Sequence, residues 1–130
     1  MTIIKHIKDI IERHPHIQLC LLFGSGAQGK LRPDSDLDIA VAAQHELSAD
    51  EKLELMSDLS AHLRREVDLV DLNAVAGPIL KQVLCDSQRI FVKNTALYAL
   101  ILKKMWYNQA DMMPLYEMIL RKRREFFIHG

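Results

Sequence analysis

Cysteine is scarce in this chain of 130 residues, which contains only Cys20 and Cys85, each inside an apolar run. Neither has a second cysteine or a histidine at the short spacing of a zinc site. We therefore expect two buried, reduced thiols rather than a disulfide framework or a structural metal centre. The six histidines show no H-x-x-x-H or H-E-x-x-H spacing, so none of them is assigned to a metal.

The chain also lacks an excess of either charge and any long hydrophobic run. Its 17 basic and 17 acidic side chains cancel, so no global field favours nucleic acid, and any such contact would have to be local. No apolar run reaches the roughly 18 residues of a membrane span, and the first residues lack the apolar core of a secretory signal. We expect a cytoplasmic protein without a membrane partner.

What the sequence does contain is an alternation of helix and strand patterns. Apolar residues at helical spacing and a capping box formed by Ser48 and Glu51 predict helices over 2–14, 48–64 and 78–85. Short apolar runs predict strands over 17–23, 37–43, 67–72 and 89–93. This alternation is typical of an α/β (α+β) fold, in which helices flank a small mixed sheet.

Helix formers dominate the rest of the chain, where Pro114 requires a kink or a break. We expect a core over 1–95 and a C-terminal helical extension over 96–130, both in one domain. Six of the eight aromatic residues and four of the six methionines lie after residue 95. Such side chains are favoured at protein interfaces, but they would also serve to cover the sheet, and the sequence leaves both interpretations open.

The segment 24–38 lies between two predicted strands and holds the candidate chemistry. It resembles a phosphate-binding P-loop until Leu31, which stands where that motif requires a magnesium-binding hydroxyl. A calcium-binding EF-hand is excluded as well, because Ile39 replaces the turn glycine and His45 replaces the bidentate glutamate.

Two carboxylates remain, Asp36 and Asp38, at positions i and i+2 where a strand begins. Alternate residues of a strand point to the same face, so this pair can bind one divalent cation together with substrate phosphates. Upstream, Gly24 allows the backbone to approach a phosphate closely, and Ser25 adds a hydroxyl. The combination indicates phosphoryl-group chemistry.

Gly24-Ser25, ten intervening residues and then Asp36-Leu37-Asp38 resemble the signature of the polymerase-β-like nucleotidyltransferases. Within that superfamily, the short length and the segment 32–41 are most similar to the minimal nucleotidyltransferase (MNT) antitoxins paired with HEPN-domain toxins. The resemblance implies a polymerase-β-like fold and a third carboxylate from a neighbouring strand. Asp68 matches the family's D-L-V pattern, whereas Asp71 points to the opposite face and is interpreted as a strand-end residue.

The resemblance also implies a reaction, the transfer of AMP from ATP to a hydroxyl group. Asp36, Asp38 and Asp68 would bind Mg2+, with two ions expected, and would be catalytic. Gly24 and Ser25 would bind the triphosphate. Lys30 and Arg32 would help to neutralise it, unless they are simply a solvated basic pair.

The implied partner is a HEPN-domain ribonuclease toxin, neutralised by adenylylation of a tyrosine. A chain this short shows no second domain to bind an acceptor, so we expect the acceptor to arrive on the partner. Two alternatives stay open: an antitoxin that acts by binding alone, with a vestigial acidic site, and an enzyme that modifies a small-molecule hydroxyl.

Overall fold

The computed structural model of the protein describes residues 3–24 and 36–107. Within these ranges four helices and four strands follow one another along the chain. They are α1 (Ile3–Ile11), β1 (Leu19–Phe23), β2 (Leu37–Ala42), α2 (Ala49–Leu63), β3 (Val67–Asp71), α3 (Pro78–Cys85), β4 (Gln88–Val92) and α4 (Thr95–Tyr107). None of the helices in these ranges has the length and apolar character needed to cross a bilayer.

The four strands form one mixed sheet in the order β3-β2-β1-β4. Strand β1 lies in the middle and pairs antiparallel with both β2 and β4, whereas β2 and β3 are parallel and joined through α2. Parallel neighbours need such a crossover because the chain must return to the same end of the sheet. The mixed sheet predicted from the sequence is thus confirmed, and the amino ends of β2 and β3 lie side by side.

Helices cover both faces of the sheet, so its strands are buried on two sides. Helices α1 and α2 pack on one face and α3 and α4 on the other, each pair with its own apolar cluster. Alternate strand residues enter alternate clusters, as the pleat requires. The α1/α2 cluster receives Leu22, Ile39 and Leu69, and the α3/α4 cluster receives Leu21, Ala40 and Val70.

The first helix ends three residues earlier than its apolar pattern predicts. The backbone N–H of Arg13 donates to the carbonyl of Ile10 at 3.1 Å and that of His14 to Ile11 at 2.8 Å, both with the i to i−3 spacing of a tight turn. Helix α1 therefore tightens and stops at Ile11, ahead of Pro15. The predicted C-terminal extension is described as far as Tyr107, and its remaining part, with Pro114, lies outside the described residues.

The capping box predicted at the start of α2 is present. The Ser48 hydroxyl accepts a hydrogen bond from the Glu51 backbone N–H at 3.1 Å, and the Glu51 carboxylate accepts one from the Ser48 backbone N–H at 3.0 Å. The hydrogen bond from the Ser48 backbone N–H, followed by an interaction with the Ser48 side chain, lowers the pKa of the Glu51 carboxyl. The box fixes where α2 begins, and α2 carries the chain to β3.

Replacing the cap should destabilise the fold without affecting the site. We expect Ser48→Ala to lower the free energy of unfolding by about 1 kcal/mol, because the N–H of Glu51 loses its acceptor. Ser57→Ala is the matched control: Ser57 lies inside the same helix, where alanine is the better helix former. Urea unfolding of both variants checks this, and equal midpoints would contradict it.

Candidate active site

Three aspartates meet at one end of the sheet because of the strand register. Asp38 pairs with Phe23 of β1 on one side and with Asp68 of β3 on the other. Asp36 lies two residues before Asp38, immediately ahead of β2, and is exposed to solvent. The structure thus brings together the three carboxylates that the sequence analysis selected.

Asp38 and Asp68 share a face of the sheet as well as a register row. The residues flanking Asp38 in β2, Leu37 and Ile39, enter the α1/α2 cluster, as do Val67 and Leu69, which flank Asp68 in β3. Because successive strand residues alternate, both aspartates point to the α3/α4 side. The two carboxylates are therefore side by side rather than on opposite sides of the sheet.

The surroundings of Asp38 raise the pKa of its carboxyl group. Partial burial raises the pKa of Asp38, the negative charges of Asp68 and Asp36 raise it further, and a side-chain hydrogen bond with Asp68 adds to the effect. Like charges that are forced together favour protonation or a bound cation. Asp38 and Asp68, which are register partners, are thus close enough to interact, and the charge of Asp36 also affects the pKa of Asp38.

The donor chemistry fits a hard divalent cation, for which carboxylate oxygens are preferred ligands. Within residues 3–24 and 36–107, no three His, Cys, Asp or Glu side chains are already arranged as a group that could hold a metal ion. The fit therefore rests on the pairing of Asp38 with Asp68 across neighbouring strands and on the nearby, exposed Asp36. A cation would relieve the repulsion that raises the pKa of Asp38.

Gly24 follows β1 and lies against the carboxylate of Asp38. Its φ of +72° is in the left-handed region, and a Cβ built on it would overlap Oδ2 of Asp38 and come within 3.2 Å of its Cγ. Glycine is thus required here for two reasons, backbone conformation and space. The absence of a side chain leaves the Asp38 carboxylate room to occupy its position beside Asp68.

A methyl group at Gly24 should displace the Asp38 carboxylate. We expect Gly24→Ala to lower catalytic activity roughly 100-fold, as misplacement of reacting groups by about 1 Å does. Gly77→Ala is the matched control, since Gly77 also has a positive φ, of +70°, but a Cβ added there would meet no described atom within 4 Å. Activity assays on both variants, with circular dichroism to confirm folding, test this; equal losses of activity would show that backbone strain alone is responsible.

Asp71 lies on the opposite face and has a structural role. It is only 3% exposed, and its carboxylate accepts hydrogen bonds from the backbone N–H of Leu47 at 2.7 Å and of Asn73 at 3.0 Å. It thereby ties the ends of β2 and β3 to the chain segments that follow them. Asp71 is placed as the sequence analysis expected, away from the three site aspartates.

Three of the predicted site residues, Ser25, Lys30 and Arg32, lie outside the described residues. Sequence reasoning also passed over Arg64, a cation at the end of α2 that leads into β3. The only sequence signal was a charged residue near a helix C-terminus, which is a common feature and indicates no site.

The protein has a mixed sheet, aspartates at the amino ends of β2 and β3, and Gly24 beside them. These features together are typical of a nucleotidyltransferase domain. Residues 5–96 match the sequence family described as polymerase beta, nucleotidyltransferase. The chain belongs to this family.

Two proteins named as protein adenylyltransferases are similar to this chain. The chain is similar to a protein adenylyltransferase of Shewanella oneidensis, MntA, with 38% identity over 89 residues, which is 68% of this chain and 62% of the relative. The matched region thus spans less than two thirds of that protein. A relative from Methanocaldococcus jannaschii, named as a candidate protein adenylyltransferase, is 31% identical over 78 residues, which is 60% of this chain and 79% of the relative.

A solved structure resembles the whole chain. The crystal structure of a toxin–antitoxin pair with AMP-PNP contains a chain that superposes with a TM-score of 0.70 at 26% identity. The match covers 98% of this chain and 98% of that chain.

Proposed function

We propose that this chain is an antitoxin that transfers AMP from ATP to a tyrosine hydroxyl of a partner HEPN-domain toxin in the cytoplasm. The observation that carries the proposal is the placement of Asp38 and Asp68 as register partners on neighbouring strands and on the same face of the sheet, with Asp36 two residues before Asp38. Such a group of carboxylates suits the handling of a nucleoside triphosphate with divalent cations.

The nucleotide and its metal ions are assigned to the same end of the sheet. Asp36, Asp38 and Asp68 would hold Mg2+, with two ions expected, which when bound would neutralise the triphosphate and stabilise charge on the attacking and leaving oxygens. Gly24 and Ser25 would bind the triphosphate, and Lys30 and Arg32 would supply positive charge to it. AMP-PNP in the similar toxin–antitoxin structure supports ATP as the substrate.

The reaction exchanges one phosphorus–oxygen bond for another. The acceptor hydroxyl oxygen forms a bond to the α-phosphorus of ATP, the bond from that phosphorus to the bridging oxygen breaks, and pyrophosphate leaves. The hydroxyl proton passes to the Asp68 carboxylate, the outermost of the three because β3 is an edge strand of the described sheet. Removing this proton makes the oxygen a better nucleophile.

The partner is assigned from the relatives. The similar Shewanella protein is named a protein adenylyltransferase, and the similar structure is that of a toxin–antitoxin pair. Both support a protein acceptor.

Incubation of the purified chain with ATP, Mg2+ and a cognate HEPN-domain protein provides the test. We expect the intact mass of that protein to rise by whole AMP units, with one or more tyrosines modified. An unchanged mass, with both proteins folded and associated, would overturn the proposal.

The double variant Asp36→Asn, Asp38→Asn separates the proposal from a binding-only antitoxin. We expect it to bind the HEPN protein but neither to modify it nor to neutralise it in cells. Full neutralisation by this variant would favour binding alone, and label transfer from ATP to a small hydroxyl compound would favour the small-molecule enzyme.

A further inference from the structure

Arg64 stands out because its backbone is strained while its side chain has no ion-pair partner among the described residues. It caps the C-terminus of α2 with φ 54° and ψ 42°, and it is the only non-glycine residue with positive φ in the same ranges. Helices usually place glycine or asparagine at such a position. Sparsely populated backbone conformations of this kind cluster at functional sites.

The guanidinium of Arg64 makes no ion pair within residues 3–24 and 36–107. Arg64 is exposed at the end of its helix, and its hydrogen bond there is a backbone one, from its N–H to the carbonyl of Ser60 at 2.9 Å. The described ion pairs of this layer involve other residues, chiefly Asp58 and Glu51. The arginine is therefore available for an anion that the described part of the chain does not provide.

The position of Arg64 relative to the three site aspartates follows from a backbone hydrogen bond between β2 and the residue that precedes β3. The carbonyl of Glu66 accepts a hydrogen bond at 3.0 Å from the N–H of Leu37, the residue between Asp36 and Asp38. Arg64 is two residues before Glu66, so their Cα atoms are at most about 7 Å apart. Arg64 thus lies at the end of the sheet that holds the three carboxylates.

The side of the site on which Arg64 lies indicates its ligand. Gly24, at the proposed triphosphate position, follows β1, and Asp68 is on β3, which has β2 as its sheet neighbour and no strand beyond it in the described sheet. The acceptor hydroxyl must approach Asp68, and Arg64 leads into that same edge strand. Arg64 is therefore on the β3 side of the site, separated from Gly24 by β2, which is the side from which the acceptor approaches in the proposed reaction.

We propose that Arg64 binds an anionic group of the acceptor protein and so positions its hydroxyl at Asp68. Planar, bidentate recognition by arginine suits either a carboxylate of the acceptor or the phosphodiester of an AMP already attached to it. This inference rests on the proposed protein acceptor.

Three variants at the same position separate charge from backbone strain. Arg64→Gly and Arg64→Asn remove the charge but suit the left-handed conformation, so their melting temperatures should equal or exceed that of the wild type, by roughly 2 to 4 °C for glycine. Arg64→Lys keeps the charge in the strained conformation. If Arg64 were only structural, glycine would improve the protein without loss of function.

The experiment measures both AMP transfer to the HEPN protein and its affinity, the latter on an Asp68→Asn background to prevent modification. We expect Arg64→Gly and Arg64→Asn to slow transfer about tenfold or more and to weaken binding, with less dependence on salt, while Mg2+-dependent binding of AMP-PNP stays unchanged. Arg64→Lys should restore part of both. Lys93→Ala is the control, because Lys93 follows β4 at the end of the sheet away from the three aspartates.

The outcomes are distinguishable. Slower transfer of the first AMP identifies a carboxylate of the acceptor as the ligand, and slower transfer of later ones alone identifies the phosphodiester. Wild-type rates and affinity in Arg64→Gly would overturn the inference while leaving the proposed function intact. Absence of transfer by the wild-type chain would instead remove the proposed function and this inference with it.

Discussion

Replacing either Asp38 or Asp68 with asparagine should abolish AMP transfer while leaving the protein folded. We expect a loss of about 1,000-fold or more for each variant, since an amide can neither replace the negative charge at a cation site nor accept the hydroxyl proton. Asp38 and Asp68 are register partners and would act at one place in the proposed reaction, so the losses in the double variant should not add. Transfer rates for the two single variants and the double variant measure this.

Asp38→Asn should also stabilise the metal-free protein at neutral pH. The pKa of Asp38 is raised on folding, so folding favours its protonated form, and its contribution to stability is present at low pH and lost as the pH rises through the raised pKa. Asp38→Asn removes this penalty, so its melting temperature should exceed that of the wild type at pH 7. The difference should shrink as the pH falls toward about 4, the ordinary pKa of aspartate.

With an excess of Mg2+ and AMP-PNP, the wild type should instead have a higher melting temperature than Asp38→Asn, because ligand that binds only the folded wild type stabilises it. If Asp38→Asn were less stable than the wild type in metal-free buffer at pH 7, repulsion of Asp38 by Asp68 and Asp36 would not be the cause of the effect. An active Asp68→Asn variant would contradict the assignment of the third carboxylate.

Asp71→Ala should have the opposite profile, a large loss of stability with little change in activity per folded molecule. Its buried carboxylate accepts two backbone N–H groups, from Leu47 and Asn73, and alanine would leave both without this acceptor. Hydrogen bonds to charged groups contribute about 1.5 to 3 kcal/mol each, so we expect a loss of about 3 kcal/mol and a melting temperature lower by roughly 10 °C.

Asp68→Ala is the matched control for Asp71→Ala, because the two aspartates lie three residues apart in the same strand, one exposed and one buried. It should leave the melting temperature of the metal-free protein equal to or above that of the wild type, because it removes a charge that raises the pKa of Asp38, and it should abolish transfer. Asp71→Asn, which retains one acceptor oxygen, should fall between wild type and alanine in stability. Similar melting temperatures for Asp71→Ala and Asp68→Ala would show that the hydrogen bonds of Asp71 contribute little.

The sequence was sufficient for the order and type of the described elements because local signals agreed with one another. Ser48 and Glu51 form the cap that starts α2, and Pro78 begins α3 where proline is tolerated. The order of the strands could not be predicted from the sequence pattern, since apolar runs indicate burial but not which neighbour a strand pairs with. The end of α1 was missed because the residues after Ile11 continue with tight-turn hydrogen bonds that carry no sequence signal.

The candidate site was only partly visible in the sequence. Spacing alone placed Asp36 and Asp38 together, since both belong to one extended segment. Asp68 was selected by family resemblance, and its contact with Asp38 depends on the parallel register of β2 and β3, which no local pattern fixes. Arg64 escaped notice because the conformation that distinguishes it is a backbone property, and glycine, its usual marker, is absent there.

ATP labelled at one phosphate tests the central claim most directly. The chain, Mg2+ and the HEPN protein are incubated either with ATP labelled at the α-phosphate or with ATP labelled at the γ-phosphate. The account predicts that label from the α-position alone becomes attached to the HEPN protein, and that this attachment requires Asp36, Asp38 and Asp68. Label arriving from the γ-position, or α-label arriving equally well with the aspartates replaced, would contradict it.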